Sequence, residues 1–392
     1  MISRDLLVLA SGRRPEMSTQ LGSYESLFLR RLGASPLEIG SVNSLMSLTS
    51  TLFSFPAGWL TDRVVNIKKM YVLSSGLGLF NYLALALTQS WPAFVLVSLW
   101  RTITDWLSAL AKTILDVDSL RNSERVLGMS IHRTITAIGG VVGPLVAAYV
   151  ITYSGGLEYA DSFRPLFAFQ FLVGLVVFFM AWRLLDDARI SRGGGGTGLS
   201  EALHSVFQGF TTLKILFIKD IIQSFFASMS RPFLGIYQVD VKMATAFILG
   251  YMGASEMLVD VFLSIPMGKV ISRYGRRRIA YAGHLVGVLA RCILFLIPRP
   301  HPEVLVLYAV LGSVEGCMYL GWDAFALEVV PQEVRGKYLG LRAVMVGMMG
   351  VLAPILGGIV WNLNPDYLWW IDALQWGFIA FPLMVVAMRR HI

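Results

Sequence analysis

Long apolar runs separated by short polar breaks set the pattern of this chain. MYVLSSGLGLFNYLALALTQ (70–89), FAFQFLVGLVVFFMAWRLL (167–185) and WGFIAFPLMVVAM (376–388) are the clearest of them. A helix crossing a bilayer needs about 20 mostly apolar residues, because the hydrocarbon core is about 30 Å thick. In lipid a spanning segment must satisfy its own backbone hydrogen bonds, so such runs are helices. The pattern predicts twelve spans, at about 6–32, 38–61, 70–89, 92–114, 128–152, 163–185, 213–237, 245–271, 279–297, 303–328, 338–361 and 367–388. The breaks are short except at 186–212, where DDARISRGGGGTGLS reads as a flexible linker. The expected organisation is an N-terminal six-helix bundle (1–185), a linker (186–212) and a C-terminal six-helix bundle (213–392).

Composition points to the same class. Of 392 residues, 55% are hydrophobic and 15% charged, against about 25% charged in a soluble domain. So little charge cannot clothe a soluble chain of this length. The fold class is therefore an all-α polytopic membrane protein, with the bilayer as its main partner. The net charge of +8 does not indicate nucleic acid, because the basic residues sit in short loops, where they set orientation. Placing both termini in the cytoplasm puts Arg63, Lys68, Lys69, Arg121, Arg125, Arg276, Arg277, Arg278 and Arg335 inside, and leaves few cations, such as Arg164 and Arg299, outside. That bias suits a multi-pass protein of the plasma membrane. MISRDLLVLASGRRPE breaks too soon in charge for a cleavable signal peptide. Cys292 and Cys317 fall inside spans and make neither a disulfide framework nor a metal motif.

The chain repeats itself. FSFPAGWLTDR (53–63) returns as LSIPMGKVISR (263–273), with Pro56, Gly58 and Arg63 matching Pro266, Gly268 and Arg273 at an offset of 210. The same offset matches Tyr71 to Tyr281, Asp105 to Glu315, Asp118 to Glu328, Arg125 to Arg335, Gly140 to Gly350 and Pro144 to Pro354. One ungapped offset serving loops and helix interiors marks a duplication. Two six-helix halves of this kind are a transporter plan, with the site at their interface.

On these residues the chain resembles the major facilitator superfamily over nearly its whole length. The family's loop between helices 2 and 3 reads Gly-x-x-x-Asp-Arg-x-Gly-Arg-Arg. Gly58, Asp62 and Arg63 match it, whereas Val65 and Asn66 depart. In the second copy Gly268, Arg273, Gly275, Arg276 and Arg277 match, and Ser272 replaces the Asp. Gly139, Gly140, Gly143 and Pro144 resemble part of the helix 5 pattern of antiporters; Ile131 stands near the missing upstream Gly. The resemblance implies alternating access, with helices 1, 4, 7 and 10 lining the path. It also implies that Asp62 acts as a gate on the start of helix 11. Asp118 and Glu328 are placed to pair with Lys68 or Lys69 and with Arg276 as the halves rock, or these charges anchor helix ends at the headgroups.

Charges inside spans support that path independently. A charged side chain at bilayer depth costs about 2.5–3.5 kcal/mol on insertion scales. Twelve of eighteen such charges fall on the first, fourth, seventh and tenth spans: Arg13, Arg14, Glu16, Glu25; Arg101, Asp105, Lys112; Lys219, Asp220, Arg231; Glu315, Asp323. The others are Arg133, Glu256, Asp260, Arg291, Arg342 and Asp372. Arg101, Asp105, Ser108 and Lys112 share one helix face. Asp105 with Arg101 is also an i, i+4 pair that can simply order its helix. Arg13 or Arg14 meets the substrate if the first span includes them; alternatively the helix starts after Pro15 and they lie at the surface. Glu256 and Asp260, also i, i+4, form a candidate proton site. Trp322 lies deep enough to stack on a substrate, while Trp361, Tyr367, Trp369 and Trp370 read as an interfacial belt.

These observations lead to a secondary transporter of a small polar or amphiphilic solute, coupled to protons and exporting by antiport, acting as a monomer without cofactor or metal. The rival is an organic-anion or phosphorylated-solute carrier that uses the intramembrane arginines. A non-transporting solute sensor on the same fold is the alternative from another class. No P-loop, HExxH motif or Ser/His/Asp set supports an enzyme.

Overall fold

The computed structural model describes residues 19–63, 66–118, 125–184, 211–299, 301–330 and 332–389. It is helical throughout, with no strand among the described residues. The twelve long elements are α1 (Thr19–Arg31), α2 (Pro36–Arg63), α3 (Ile67–Leu87), α4 (Trp91–Asp118), α5 (Arg125–Tyr153), α6 (Arg164–Leu184), α7 (Thr211–Ser230), α8 (Ala246–Tyr274), α9 (Arg276–Leu296), α10 (Leu305–Val329), α11 (Gln332–Leu363) and α12 (Pro365–Arg389, with a π-helical turn at Trp376–Ala380). Among the described residues, eight helices are long and apolar enough to cross a membrane. Large side chains such as Leu73, Leu96, Phe262 and Phe378 stand outward and exposed, on a scale that water would not tolerate.

The duplication is visible in the helix ends. Ser35 and Glu38 form a capping box at the start of α2: the Ser35 N–H donates to Glu38 Oε2 at 2.7 Å and the Glu38 N–H to Ser35 Oγ at 3.3 Å. At the start of α8, 210 positions on, Thr245 Oγ1 accepts from the Ile248 N–H at 3.3 Å. The second loop copy keeps its motif glycine because Gly275 has φ +89°, a conformation other residues resist. In the first copy Asn66, which departs from the motif, caps α3 by accepting from the Lys69 N–H at 3.0 Å.

The helices form two compact units. The first comprises Met1–Ala34, Leu48–Gly193 and Thr245–Ala254, the second Ser35–Ser47, Gly194–Ala244 and Ser255–Ile392. In the first, α3 packs on α4 and α6 around Ile67, Met70, Tyr71, Ala111, Leu115 and Ala181. In the second, α9 packs likewise on α10 and α12, and α7 packs on α11. The start of α2 belongs to the second unit and the start of α8 to the first. Each enters through a glycine. A Cβ on Gly40 would lie 2.3 Å from the Pro354 carbonyl oxygen, and one on Gly250 would lie 2.8 Å from Ala148 Cβ and 3.0 Å from the Pro144 oxygen. These two crossings are the same crossing, 210 positions apart.

Two expectations need correction. Trp361 and Trp369 are buried, Trp361 stacked on Phe233 and Trp369 against Tyr237; only Tyr367 and Trp370 stand exposed as belt residues do. The regular α7 ends at Ser230, where Pro232 removes a backbone donor and a 3₁₀ turn begins at Arg231. Arg231 is exposed there, past the end of the regular helix and short of the expected span end at 237.

Candidate functional site

Each unit holds its own charged grouping on inward-turned helix faces. In the first unit Arg101 of α4 reaches Glu25 of α1 with both terminal nitrogens; Nη2 donates to Glu25 Oε2 at 2.6 Å. Asp105, one turn along α4, has its carboxylate 4.0 Å from Arg101 Nε. The same face of α4 meets α3: Ser108 donates to Ser74 at 2.9 Å, and Asn81 donates to Thr104 at 3.0 Å. The polar stripe therefore points at α1 and α3, while Leu96 and Trp100 stand exposed. Accessibility is partial, 15% for Arg101, 19% for Glu25 and 31% for Asp105.

The second unit holds a larger and drier grouping. Arg291 of α9 donates through Nη1 to Glu315 of α10 and through Nε to Asp372 of α12, both at 2.9 Å. Its guanidinium carbon lies 3.9 Å from the centre of the Trp376 ring, a cation–π contact. His284 stacks on the same Trp376, ring centres 4.6 Å apart, with Nε2 donating to the Trp376 carbonyl at 2.8 Å. Gly287 makes room for this: a Cβ there would lie 2.4 Å from the Glu315 carboxyl carbon. Across the unit Lys219 of α7, with 0% exposure, donates to Gln223 at 2.7 Å and to the Tyr319 hydroxyl. Its ammonium lies 4.3 Å from the Trp322 ring centre and 4.0 Å from Asp220. Asp220 in turn accepts from Arg342 Nε of α11 at 2.6 Å. Three cations and three carboxylates thus tie five helices together, which meets the cost of burying ions only because each is paired.

The structure disposes of the sequence candidates as follows. Glu25, Arg101 and Asp105 come together; Asp220 and Glu315 join the second grouping; Lys112 is half-buried farther along α4. Trp322 is fully buried beneath Lys219, so its face is already occupied. Arg13, Arg14 and Glu16 lie outside the described residues, as do the side chains of Gly58, Asp62, Arg63, Asp118 and Asp323. Glu256 and Asp260 are half-buried on α8; the Glu256 carbonyl accepts from Ser313 at 3.3 Å, and Asp260 Oδ1 lies 3.8 Å from the Cys317 thiol. Among the gate candidates, Gly268 faces open space, Arg273 lies over Tyr274, and Arg276 forms a half-exposed ion pair with Glu328. No group of His, Cys, Asp and Glu among the described residues is arranged to hold a metal.

Arg291, Arg342 and Asp372 are the participants that the path-lining rule passed over. The signal was present: each is an ion inside a span, so each needs a partner. Arg291 and Asp372 lie on the ninth and twelfth helices, off the expected set.

Comparison with known proteins agrees with the architecture. An uncharacterized MFS-type transporter of Methanocaldococcus jannaschii is 21% identical over 350 residues, 87% of this chain and 83% of its own length. Multidrug resistance protein 3 of Bacillus subtilis is 25% identical over 128 residues, 32% of this chain and 23% of its own. The crystal structure of a mutant of the nucleoside transporter NupG superposes with a TM-score of 0.78 at 16% identity, covering 97% of this chain and 98% of that one. The sequence profile of the Major Facilitator Superfamily matches residues 16–251 and 216–391. The chain is therefore a multi-pass membrane transporter belonging to the Major Facilitator Superfamily.

Proposed function

We propose that this transporter exports a small polar or amphiphilic solute in exchange for protons, by alternating access, with residues 1–185 and 213–392 as the moving halves and both termini in the cytoplasm. The supporting observation is the Glu25–Arg101–Asp105 grouping. It is ionisable, turned away from the lipid-facing side of α4 and still partly accessible. The ionised Asp105 carboxylate, which restrains Arg101 through Nε, receives a polar group of the solute from the cytoplasm. A proton taken up by Asp105 on the outer side displaces the solute, and its release to the cytoplasm after the empty carrier returns completes the exchange. Glu315, the repeat mate of Asp105, restrains Arg291 in the same fashion. Asp260 belongs to the proton path in this scheme, because the Cys317 thiol lies beside its carboxylate. Export rather than uptake is the reading favoured by the helix 5 glycines, which resemble part of the antiporter pattern. Asp62 and the Arg276–Glu328 pair act as gates; a half-exposed pair is weak enough to break each cycle.

Proteoliposomes with an imposed pH gradient test this against a panel of nucleosides, amphiphilic cations and organic acids. Asp105→Asn is expected to lose pH-driven flux at least tenfold while keeping solute counterflow, and Glu315→Gln to lose pH-driven flux as well. Full pH-driven flux in both variants would remove these residues from coupling. The second reading, a carrier of organic anions, is favoured by Arg342, whose guanidinium is 45% exposed beside Asp220. Anion counterflow indifferent to pH would select it, and binding without counterflow would select a sensor.

A further inference from the structure

The outer face of the first unit carries a groove that neither charged grouping uses. It runs between α3 and α6, with a volume of about 730 Å³. Its walls are Leu73, Leu77 and Phe80 on one side and Phe171, Phe179 and Trp182 on the other. Gly76 lets the helices approach at its floor, since a Cβ there would lie 2.9 Å from the Phe178 ring. The walls are open to the side: Leu73 is 67% and Phe80 61% exposed. Among the described residues, the charged side chains lining it are Lys68 and Lys69, both at one mouth. The capped start of α3 lies at the same mouth and adds the positive end of a helix dipole.

The length of the groove is informative. From Lys68 to Phe80 a helix rises roughly 18 Å, close to one leaflet of a hydrocarbon core about 30 Å thick. The feature is thus a cation pair at the membrane surface followed by an apolar slot about one leaflet deep. A soluble anion uses only the first part and a neutral tail only the second. An anionic amphiphile uses both.

We propose that this groove binds an anionic phospholipid, its phosphate held by Lys68 and Lys69 and one acyl chain laid along the α3–α6 slot. The loop-charge orientation puts the site in the cytoplasmic leaflet, the leaflet that carries anionic lipid. The aliphatic stems of the two lysines lie on the apolar wall while their ammonium groups stay at the headgroup level.

Native mass spectrometry and thermal unfolding of the purified protein in neutral detergent test the site. Phosphatidylglycerol and phosphatidylcholine are titrated separately, with glycerol 1-phosphate and inorganic phosphate in parallel. One phosphatidylglycerol is expected to bind more tightly than the rest and to raise the unfolding midpoint, with no effect of either soluble phosphate. K68Q/K69Q is expected to weaken phosphatidylglycerol binding at least tenfold and to leave phosphatidylcholine binding unchanged. K68R/K69R retains it, and Leu73→Trp, which fills the slot, weakens both lipids. The proposal is overturned if K68Q/K69Q keeps the phosphatidylglycerol preference, if K68R/K69R loses it, or if glycerol 1-phosphate stabilises as well as the lipid.

Discussion

The two units use one scaffold for two different charge arrangements. Asp105 and Glu315 occupy equivalent places in the repeat, and so do Asn81 and Arg291. In the first unit α3 supplies an amide, which donates to Thr104, and Asp105 takes its cation from its own helix. In the second unit α9 supplies a guanidinium, which joins Glu315 to Asp372 on a third helix. The position one turn before it differs accordingly. It is Leu77 in the first unit and Gly287 in the second, where only a hydrogen leaves space for the Glu315 carboxyl. After duplication one copy has a three-residue grouping whose acids are partly accessible. The other has a larger network, with less accessible carboxylates, that ties five helices together.

The strongest way to break this contrast is to remove the central cation from each. Arg291→Met strands two buried carboxylates and is expected to destabilise the protein by about 3–5 kcal/mol. Arg101→Met leaves partly hydrated acids and is expected to cost about 1–2 kcal/mol, between the exposed and buried regimes. Thermal unfolding in detergent measures both, and equal losses would erase the distinction drawn between the units. Gly287→Ala sharpens it next: the added methyl displaces the Glu315 carboxyl, for an overpacking cost of about 1–3 kcal/mol.

The shared part of the scaffold predicts a pair of effects. Gly40→Ala and Gly250→Ala each overpack a helix crossing, and each is expected to cost about 1–3 kcal/mol. Gly40 should be the worse, because its nearest obstacle is the Pro354 backbone oxygen at 2.3 Å, whereas Gly250 first meets Ala148 Cβ at 2.8 Å. The reverse order in unfolding midpoints would mean that the crossings are not equivalent in tightness. The smallest effect is expected from Arg276→Gln. Its pair with Glu328 is 45% and 59% exposed, worth about 0–1 kcal/mol, so stability should hardly move; a large loss would give that pair a structural role.

Much of this was legible before any coordinates. Apolar runs long enough to span place α2–α6, α8–α10 and α12 within a few residues of their ends, because lipid leaves the backbone no other choice; α7 ends and α11 starts earlier than the pattern gives, and the span expected from residue 6 lies outside the described residues before Thr19. The offset of 210 pairs α2 with α8 and α3 with α9. The stripe of Arg101, Asp105 and Ser108 follows from helical period alone.

What the one-dimensional pattern determined is therefore the solvent, the helices, their duplication and which residues carry charge at depth. Those are local or repeated properties, set by hydrophobicity and by periods of a few residues. Only the tertiary structure decided who pairs with whom. Arg291 lies 24 positions from Glu315 and 81 from Asp372, and nothing in the spacing ranks those acids above Glu256 or Asp260. The choice rests on helix packing: α9 lies against both α10 and α12, and Gly287 leaves the space that the Glu315 carboxyl occupies.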